Sequence, residues 1–496
     1  MKKTWNVVVW WVASACLLCG SSAWGRVTLY EGGLGTVRTS GFVRVQADIH
    51  AAERNPNNFA AENNDLQLFR QWLLADVTWD TPVPNLQLFA RGRVWSDTTS
   101  DADDNVADFD AFPTKFRGDG WFMRTSSDDT AAELWEVWLD YKYREWWLRL
   151  GRQTIVWGDV APARLLDDVN PLDVSWHLVL EPLGKDVFDH LRIPIWAARA
   201  AYSLPFAPEF QLEGYVSPDF AFVSTQLPGP GSPFNVLGLP PFIRLRDNLE
   251  DGQTGVSAGA RLVGTVGGVT FTINWLTRHN ADGITKFEGF VPDPSSPIGG
   301  ILLLKQQHPR FDTVGFSLNY FEQRTKTVTR VEFAWDIARP WESLATQNAR
   351  LIRRHQWGYV VAIDRPSFII RRDRTALLTL QFEQRFRENG KGAMGIGGAP
   401  VDRNAEVFTL LFSQPFRGIR GRFDEWFLDF AFLASTDDAY AFVPLVRFEP
   451  GNHWRFNVWY NVFSGPESRP ITGATPGGFG SQTWANGVNT SVSYQF

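Results

Sequence analysis

Arginines and carboxylates recur at alternate positions in short segments along this chain of 496 residues. The basic set is Arg44, Arg70, Arg91, Arg93, Arg149, Arg199, Arg261, Arg330, Arg385, Arg387 and Arg455. On the same parity lie Asp48, Asp76, Glu136, Asp140, Glu213, Glu332, Glu383 and Asp429. Arginine outnumbers lysine about four to one, and its planar fork grips a carboxylate at two points. Such a set can serve as an ion-pair lattice that holds a wall in shape. It can also form a charged constriction that selects or orients a solute. Catalytic chemistry has less support: the seven histidines are scattered, and only His177 and His453 invite a catalytic guess. No His-Glu-x-x-His zinc site occurs. The oxygen-rich runs Asp101-Ala102-Asp103-Asp104-Asn105 and Pro292-Asp293-Pro294-Ser295-Ser296-Pro297 lack the glycine and the bidentate glutamate of a calcium loop, so they read as solvated surface. Neither a metal nor a cofactor is expected.

The elements that position these charges repeat every two residues. In Val488–Phe496 the even positions are apolar or aromatic apart from one threonine, and the odd positions are polar. The same alternation sets Trp454, Phe456, Val458, Tyr460 and Val462 against Arg455, Asn457 and Asn461. It sets Leu378, Leu380, Phe382 and Phe386 against Gln381, Glu383, Arg385 and Arg387. A helical period would scatter these sets around a cylinder, so they are strands with one apolar face. Eighteen candidates start near residues 40, 67, 86, 132, 146, 193, 208, 254, 269, 312, 327, 355, 375, 405, 424, 439, 453 and 485. Connections after even strands are short, as in Pro82-Val83-Pro84-Asn85 and Gly267-Gly268. Those after odd strands are mostly long: 51–64, 97–130, 160–190, 221–252, 280–310, 339–354, 389–403 and 465–483. This is the short-inner, long-outer rule of a transmembrane antiparallel β-barrel of eighteen strands with long extracellular loops. The connection after Asp437 is shorter than the rule asks and 368–374 is longer, which leaves sixteen strands as the alternative.

Composition agrees. The chain holds 23 Trp, 38 Phe and 10 Tyr, yet its mean hydropathy is −0.20 and no later apolar run is long enough for a membrane helix. At the start, Lys2 and Lys3, the apolar run Val7–Leu18 and small residues to Ala23 predict a signal peptide over 1–23. A periplasmic segment over 24–38 and a barrel over 39–496 follow. Both cysteines, Cys16 and Cys19, fall in the signal, so disulfides, thiolate metal sites and a cysteine nucleophile are excluded from the mature chain. The formal charge of −6 becomes −8 without Lys2 and Lys3, which argues against nucleic acid as a partner. The terminal Phe496 on an aromatic strand is the form of an assembly signal, so outer-membrane lipid and the barrel-assembly machinery are expected partners.

One stretch is more specific. Gly151-Arg152-Gln153-Thr154-Ile155-Val156-Trp157-Gly158, followed by Asn170-Pro171-Leu172-Asp173-Val174-Ser175, resembles a family of proteobacterial outer-membrane proteins of unknown function. Members carry a Gly-Arg-Gln…Trp-Gly strand end and an Asn-Pro-x-Asp-Val-Ser segment; this chain has Asp159 where they commonly have Glu. The resemblance implies a barrel that moves hydrophobic or amphipathic compounds, working with a periplasmic carrier and an inner-membrane exporter.

Around this motif, Trp146, Leu148 and Leu150 hold one parity while Ile155 and Trp157 hold the other, so a one-residue bulge near Gly151 would turn Arg152 inward. Residues 160–190 carry apolar side chains that should not stay in water, and Pro171 biases Asn170 to a turn. The segment is therefore expected to fold inward as a plug, with Asp167, Asp168 and Asp173 within reach of the inward arginines, of which Arg149 and Arg152 are nearest in sequence. A channel or transporter is the leading function class. A lipase-like outer-membrane enzyme and a structural barrel are the alternatives.

Overall fold

A computed structural model describes residues 27–51, 65–102, 124–126, 129–160, 164–173, 190–218, 225, 243–247, 256–281, 283–294, 299–343, 351–388, 393–394, 404–417, 424–436, 438–465 and 486–496. Eighteen long strands build its wall: β1 (Gly35–His50), β2 (Leu66–Asp80), β3 (Leu86–Asp97), β4 (Thr130–Tyr143), β5 (Trp146–Gln153), β6 (Ile195–Ser203), β7 (Phe210–Pro218), β8 (Val256–Val266), β9 (Val269–His279), β10 (Arg310–Glu322), β11 (Thr327–Ser343), β12 (Leu351–Ser367), β13 (Ala376–Arg387), β14 (Asn404–Arg417), β15 (Asp424–Ser435), β16 (Tyr440–Pro450), β17 (Trp454–Ser464) and β18 (Gly487–Gln495). Each pairs antiparallel with its sequence neighbour, and β18 closes on β1 from Phe42↔Gln495 to His50↔Gly487. Closure leaves no edge with unpaired backbone groups, which a bilayer requires. Phe496 continues the seam, its N–H and C=O each pairing with Gly41 at 2.9 Å.

The face assignments follow the period of two. Phe382 is 37% exposed on the outside, whereas Gln381 next to it is 2% exposed. Leu150, Leu212, Ile273, Trp335, Phe408 and Val458 stand outward and exposed on strands around the ring. An apolar band of that extent belongs in hydrocarbon, so the wall spans a membrane. At one end the turns are tight. Gly267 and Gly268 take φ of +58° and +82°, the left-handed pair of a two-residue hairpin loop.

Several expectations gain detail, none of which changes the strand count. The first strand begins at Gly35, and Val27–Gly32 pairs back onto it, so much of 24–38 is sheet. The connections 221–252 and 280–310 contain a small separate sheet in which Gly300–Gln307 pairs antiparallel with Ile284–Pro292 and parallel with Ile243–Asp247. Only four residues separate β15 from β16, with Asp438 at φ +61°; this breaks the length rule without changing the count.

Nor is there a bulge at Gly151, where β5 keeps register with both neighbours. The irregularity lies in β4: Arg91 pairs with Glu136 and Gly92 with Leu134, leaving Trp135 between them. Gly151 absorbs its strain through φ of +138°, where a Cβ would lie 2.2 Å from the Val137 carbonyl oxygen. Ile155 and Trp157 change parity because the chain has left the wall after Gln153.

Candidate functional site

The chain that leaves β5 runs along the inner face of the wall. Ile155 and Trp157, 0% and 1% exposed, pack with Ala197 of β6, Tyr215 of β7 and Leu276 of β9. The Trp157 indole N–H donates to Glu213 at 2.9 Å, and a Cβ at Gly259 of β8 would come within 2.8 Å of the Trp157 ring. Asp159 lies against β10 and β11. Its backbone N–H donates to Glu332, its carbonyl accepts from Arg330 at 2.8 Å, and its carboxylate accepts from Asn319 at 2.7 Å. Val160, Leu165 and Leu166 then form one buried cluster with Ala334 of β11 and with Val360 and Ala362 of β12. A Cβ at Gly315 would stand 2.6 Å from Leu166 and one at Gly358 3.1 Å from Leu165, so these wall positions leave room for the two leucines.

Leu172 and Asp173 lie on the other side of the lumen, Leu172 against Phe42, Trp72 and Trp95. Asp173 meets Arg93 of β3 at 3.1 Å, and Arg93 also holds Glu133 of β4 and donates to the His190 carbonyl at 3.0 Å. The Arg93 guanidinium lies between the Trp95 and Trp135 rings, 4.0 and 3.2 Å from their centroids. In the ring of eighteen strands, β3 and β12 are nine apart and therefore opposite. Leu165 to Asp173 is eight residues, a reach of at most about 28 Å. The segment thus touches both sides of the lumen and crosses it.

Asn170 ties the ends of the crossing together. Its buried carboxamide accepts from Ile155 N–H at 2.9 Å and donates to the Ile193 carbonyl at 2.7 Å. Those residues flank the exit from β5 and the entry to β6. Pro171 then accepts from Ile193 N–H at 2.9 Å, Asp173 N–H donates to the Leu191 carbonyl at 2.7 Å, and Leu172 bridges to Arg192. Of the three acids only Asp173 meets an arginine of the expected inward set, Arg93, and none meets Arg149 or Arg152, the two nearest in sequence. Asp167 pairs with Arg192, while Asp168 pairs with Arg278 of β9 at 2.7 Å and with Arg164 at 3.4 Å. The two nearby arginines are occupied: Arg149 by Asp140 of β4 at 2.6 and 2.8 Å, Arg152 by the Leu134 carbonyl at 2.7 Å. Burial holds the Asp167 carboxyl above its ordinary range against the pull of Arg192. For Asp168 burial pushes upward too, but Arg278, Arg164 and Arg339 outweigh it and bring the group to about 2.

The other lumen residues form wall pairs. Arg199 and Arg261 share Glu213 at 2.6 and 2.9 Å, Arg330 holds Asp364, and Arg385 meets Glu383 at 2.5 Å. Arg455 meets Glu449 at 2.9 Å, and Arg387 donates to Gln356 at 3.0 Å. Sequence reasoning missed Arg192, Arg278 and Arg164 as partners of the crossing segment. It also missed the inward series Thr313, Gly315, Ser317 on β10, where small residues mark a wall that something packs against. A Gly-x-Ser-x-Gly spacing does occur at 255–259, but Ser257 lies in regular strand paired with Ser217, not on the sharp strand-to-helix turn of a hydrolase nucleophile. His453 packs against Tyr494 and bonds the Gln495 carbonyl at 2.7 Å. His177, residues 161–163 and residues 174–189 of the expected plug lie outside the described residues. No grouping of three or more metal-ligating side chains occurs among the described residues.

The molecule is a porin-like β-barrel whose lumen is crossed by its own chain. It belongs to the family described as "Protein of unknown function (DUF1302)", which matches residues 7–324. No protein with a curated description matches the chain. Among solved structures it is similar to OmpF of Salmonella typhi in complex with daunomycin, at 9% identity and TM-score 0.43, over 95% of this chain and 100% of that one. It is also similar to OccK8 (OprE) of Pseudomonas aeruginosa, at 8% identity and TM-score 0.46, over 94% and 99%. A third is the outer-membrane channel DcaP of Acinetobacter baumannii, at 10% identity and TM-score 0.41, over 95% and 100%.

Proposed function

We propose that the chain is an outer-membrane channel for hydrophobic or amphipathic small molecules, and that the segment between β5 and β6 narrows its lumen and gates it. The observation that carries this reading is the crossing itself, held by Asp168 and the two leucines on one side and by Asp173 on the other. Support for an apolar cargo comes from inward residues that are not charged: Leu433, Ala441, Val443, Leu445, Trp459 and Phe463 form a buried cluster on β15–β17. Partners in this reading are outer-membrane lipid, the barrel-assembly machinery, a periplasmic carrier and an inner-membrane exporter. The test is single-channel conductance in planar bilayers after residues 162–184 are replaced by a short glycine linker. Conductance should rise several-fold; unchanged conductance in an intact barrel refutes gating.

A further inference from the structure

Within the crossing segment, Leu165, Leu166 and Asp168 present to the wall two branched alkyl groups and one carboxylate within four residues. The wall answers each. Ala334, Gly358 and Gly315 form a shallow trench under the leucines. Beside it Arg278, 5% exposed at its side chain, holds the Asp168 carboxylate at 2.7 Å and donates to Thr313 at 2.9 Å. We infer that these three side chains occupy a solute site, and that the solute is a carboxylate bearing a branched aliphatic tail. The inference rests on the gating reading and names the ligand that operates the gate.

The argument is one of compensation. If the segment swings out, Arg278 loses the carboxylate beside it while still confined in the wall, and the trench loses its apolar filling. A confined guanidinium without an anion is costly. A solute that supplies both a carboxylate and an alkyl branch restores both contacts, so it binds the open state and has no room in the closed one. A ligand shifts a two-state equilibrium only through such a difference in affinity. A neutral alkane would fill the trench and leave Arg278 bare, and acetate would meet Arg278 and leave the trench empty. Leu166 and Asp168 are two residues apart, so their Cα atoms are separated by at most about 7 Å. That limits the solute to a short chain between branch and carboxyl.

The probe is 4-methylpentanoate, with 4-methylpentanamide and acetate as controls, on the full chain in planar bilayers. Time-averaged conductance should rise about threefold or more with 4-methylpentanoate and stay flat with either control. Arg278→Gln should abolish the response. Ala334→Leu, which fills the trench and leaves Arg278 in place, should raise the resting conductance and also abolish the response. Binding of the probe is measured separately by saturation-transfer NMR on the variant with 162–184 replaced, where the site stands open; it should be tighter than in the unaltered chain. If that variant conducts more but binds the amide as well as the carboxylate, or neither, the inference is overturned and gating stands. If it binds the carboxylate selectively yet conducts no more, the site stands and gating fails.

Discussion

Replacing Asn170 with alanine should release the crossing segment without damaging the wall. The carboxamide makes two bonds, from Ile155 N–H at 2.9 Å and to the Ile193 carbonyl at 2.7 Å, and is 2% exposed. Alanine leaves a backbone donor and a backbone acceptor without these partners in a confined site, at about 1–3 kcal/mol each. Relaxation and water entry favour the lower end, so docking should weaken by about 2 kcal/mol or more, which is about 30-fold in the docked-to-undocked ratio. None of the strand-to-strand bonds involves Asn170, so the barrel should keep its stability. The mature chain is expected to lack cysteine, so a single Leu166→Cys reports undocking through its rate of reaction with a water-soluble maleimide. Against that background, Asn170→Ala should raise the rate about 30-fold. Asn170→Asp, which keeps the acceptor for Ile155 and loses the donor to Ile193, should fall between. A rate within twofold of the parent, in a barrel that remains folded by its gel mobility, would refute the account of Asn170 as the tie between the two ends of the segment.

Three further outcomes are expected. Asp168 is held at about 2 from an ordinary 3.8, so its ion pairs contribute about 2 kcal/mol to docking above pH 4, lost as pH falls through about 2; maleimide-independent conductance recorded from pH 5 to pH 2 should rise at the acid end, and Asp168→Asn should remove that rise. Cysteine at Phe382 should react only with lipid-phase reagents and cysteine at Gln381 only with aqueous ones, and reversed labelling would overturn the register. Deleting Phe496 removes the backbone pair with Gly41 at the end of a seam whose other bonds remain; insertion in cells should drop far more than the melting temperature of refolded protein, and equal effects would remove the assembly-signal reading.

Where alternation was unbroken, the sequence was sufficient. Each observed wall strand begins within five residues of its expected start, because a strand between lipid and an aqueous lumen has no choice about which residues face where. Legibility ended where that boundary condition ended. On β16, Ala441, Val443 and Leu445 face inward and are buried although Phe442 and Val446 face lipid. The run is apolar on both faces, so its inward role is invisible to a rule that pairs inward with polar. After Gln153 the chain no longer lies between two solvents, and the parity of Ile155 and Trp157 points to nothing in the wall. Partners of Asp167, Asp168 and Asp173 were sought among arginines near in sequence, but Arg149 and Arg152 are satisfied within β4 and by backbone. Asp168 and Asp173 meet Arg278 and Arg93 across the closed barrel, while Arg164 and Arg192 belong to the connection itself. The signal that could have found them is the row of small inward residues at Gly315, Ala334 and Gly358, which makes sense only if something lies on it.

The ion pairs fall into those made within the wall and those made to the crossing segment. On β2–β5 and β7–β8 the arginines are balanced by acids of adjacent strands, as in Arg91 with Asp76, Arg149 with Asp140 and Arg261 with Glu213. Those pairs are made within the wall and keep it in shape whether or not the lumen is occupied, although Glu213 also accepts from Trp157 of the segment. On β9–β11 the balance runs partly through the segment: Asp168 answers Arg278, and the Asp159 backbone joins Arg330 and Glu332. Removing the segment therefore changes the charge at two places in the lumen, Arg278 on β9, beside the small residues Gly315 and Ala334, and Arg93 on β3, which keeps Glu133. The gate proposed above would open without loss of the walls, and opening would expose a cation beside an apolar trench.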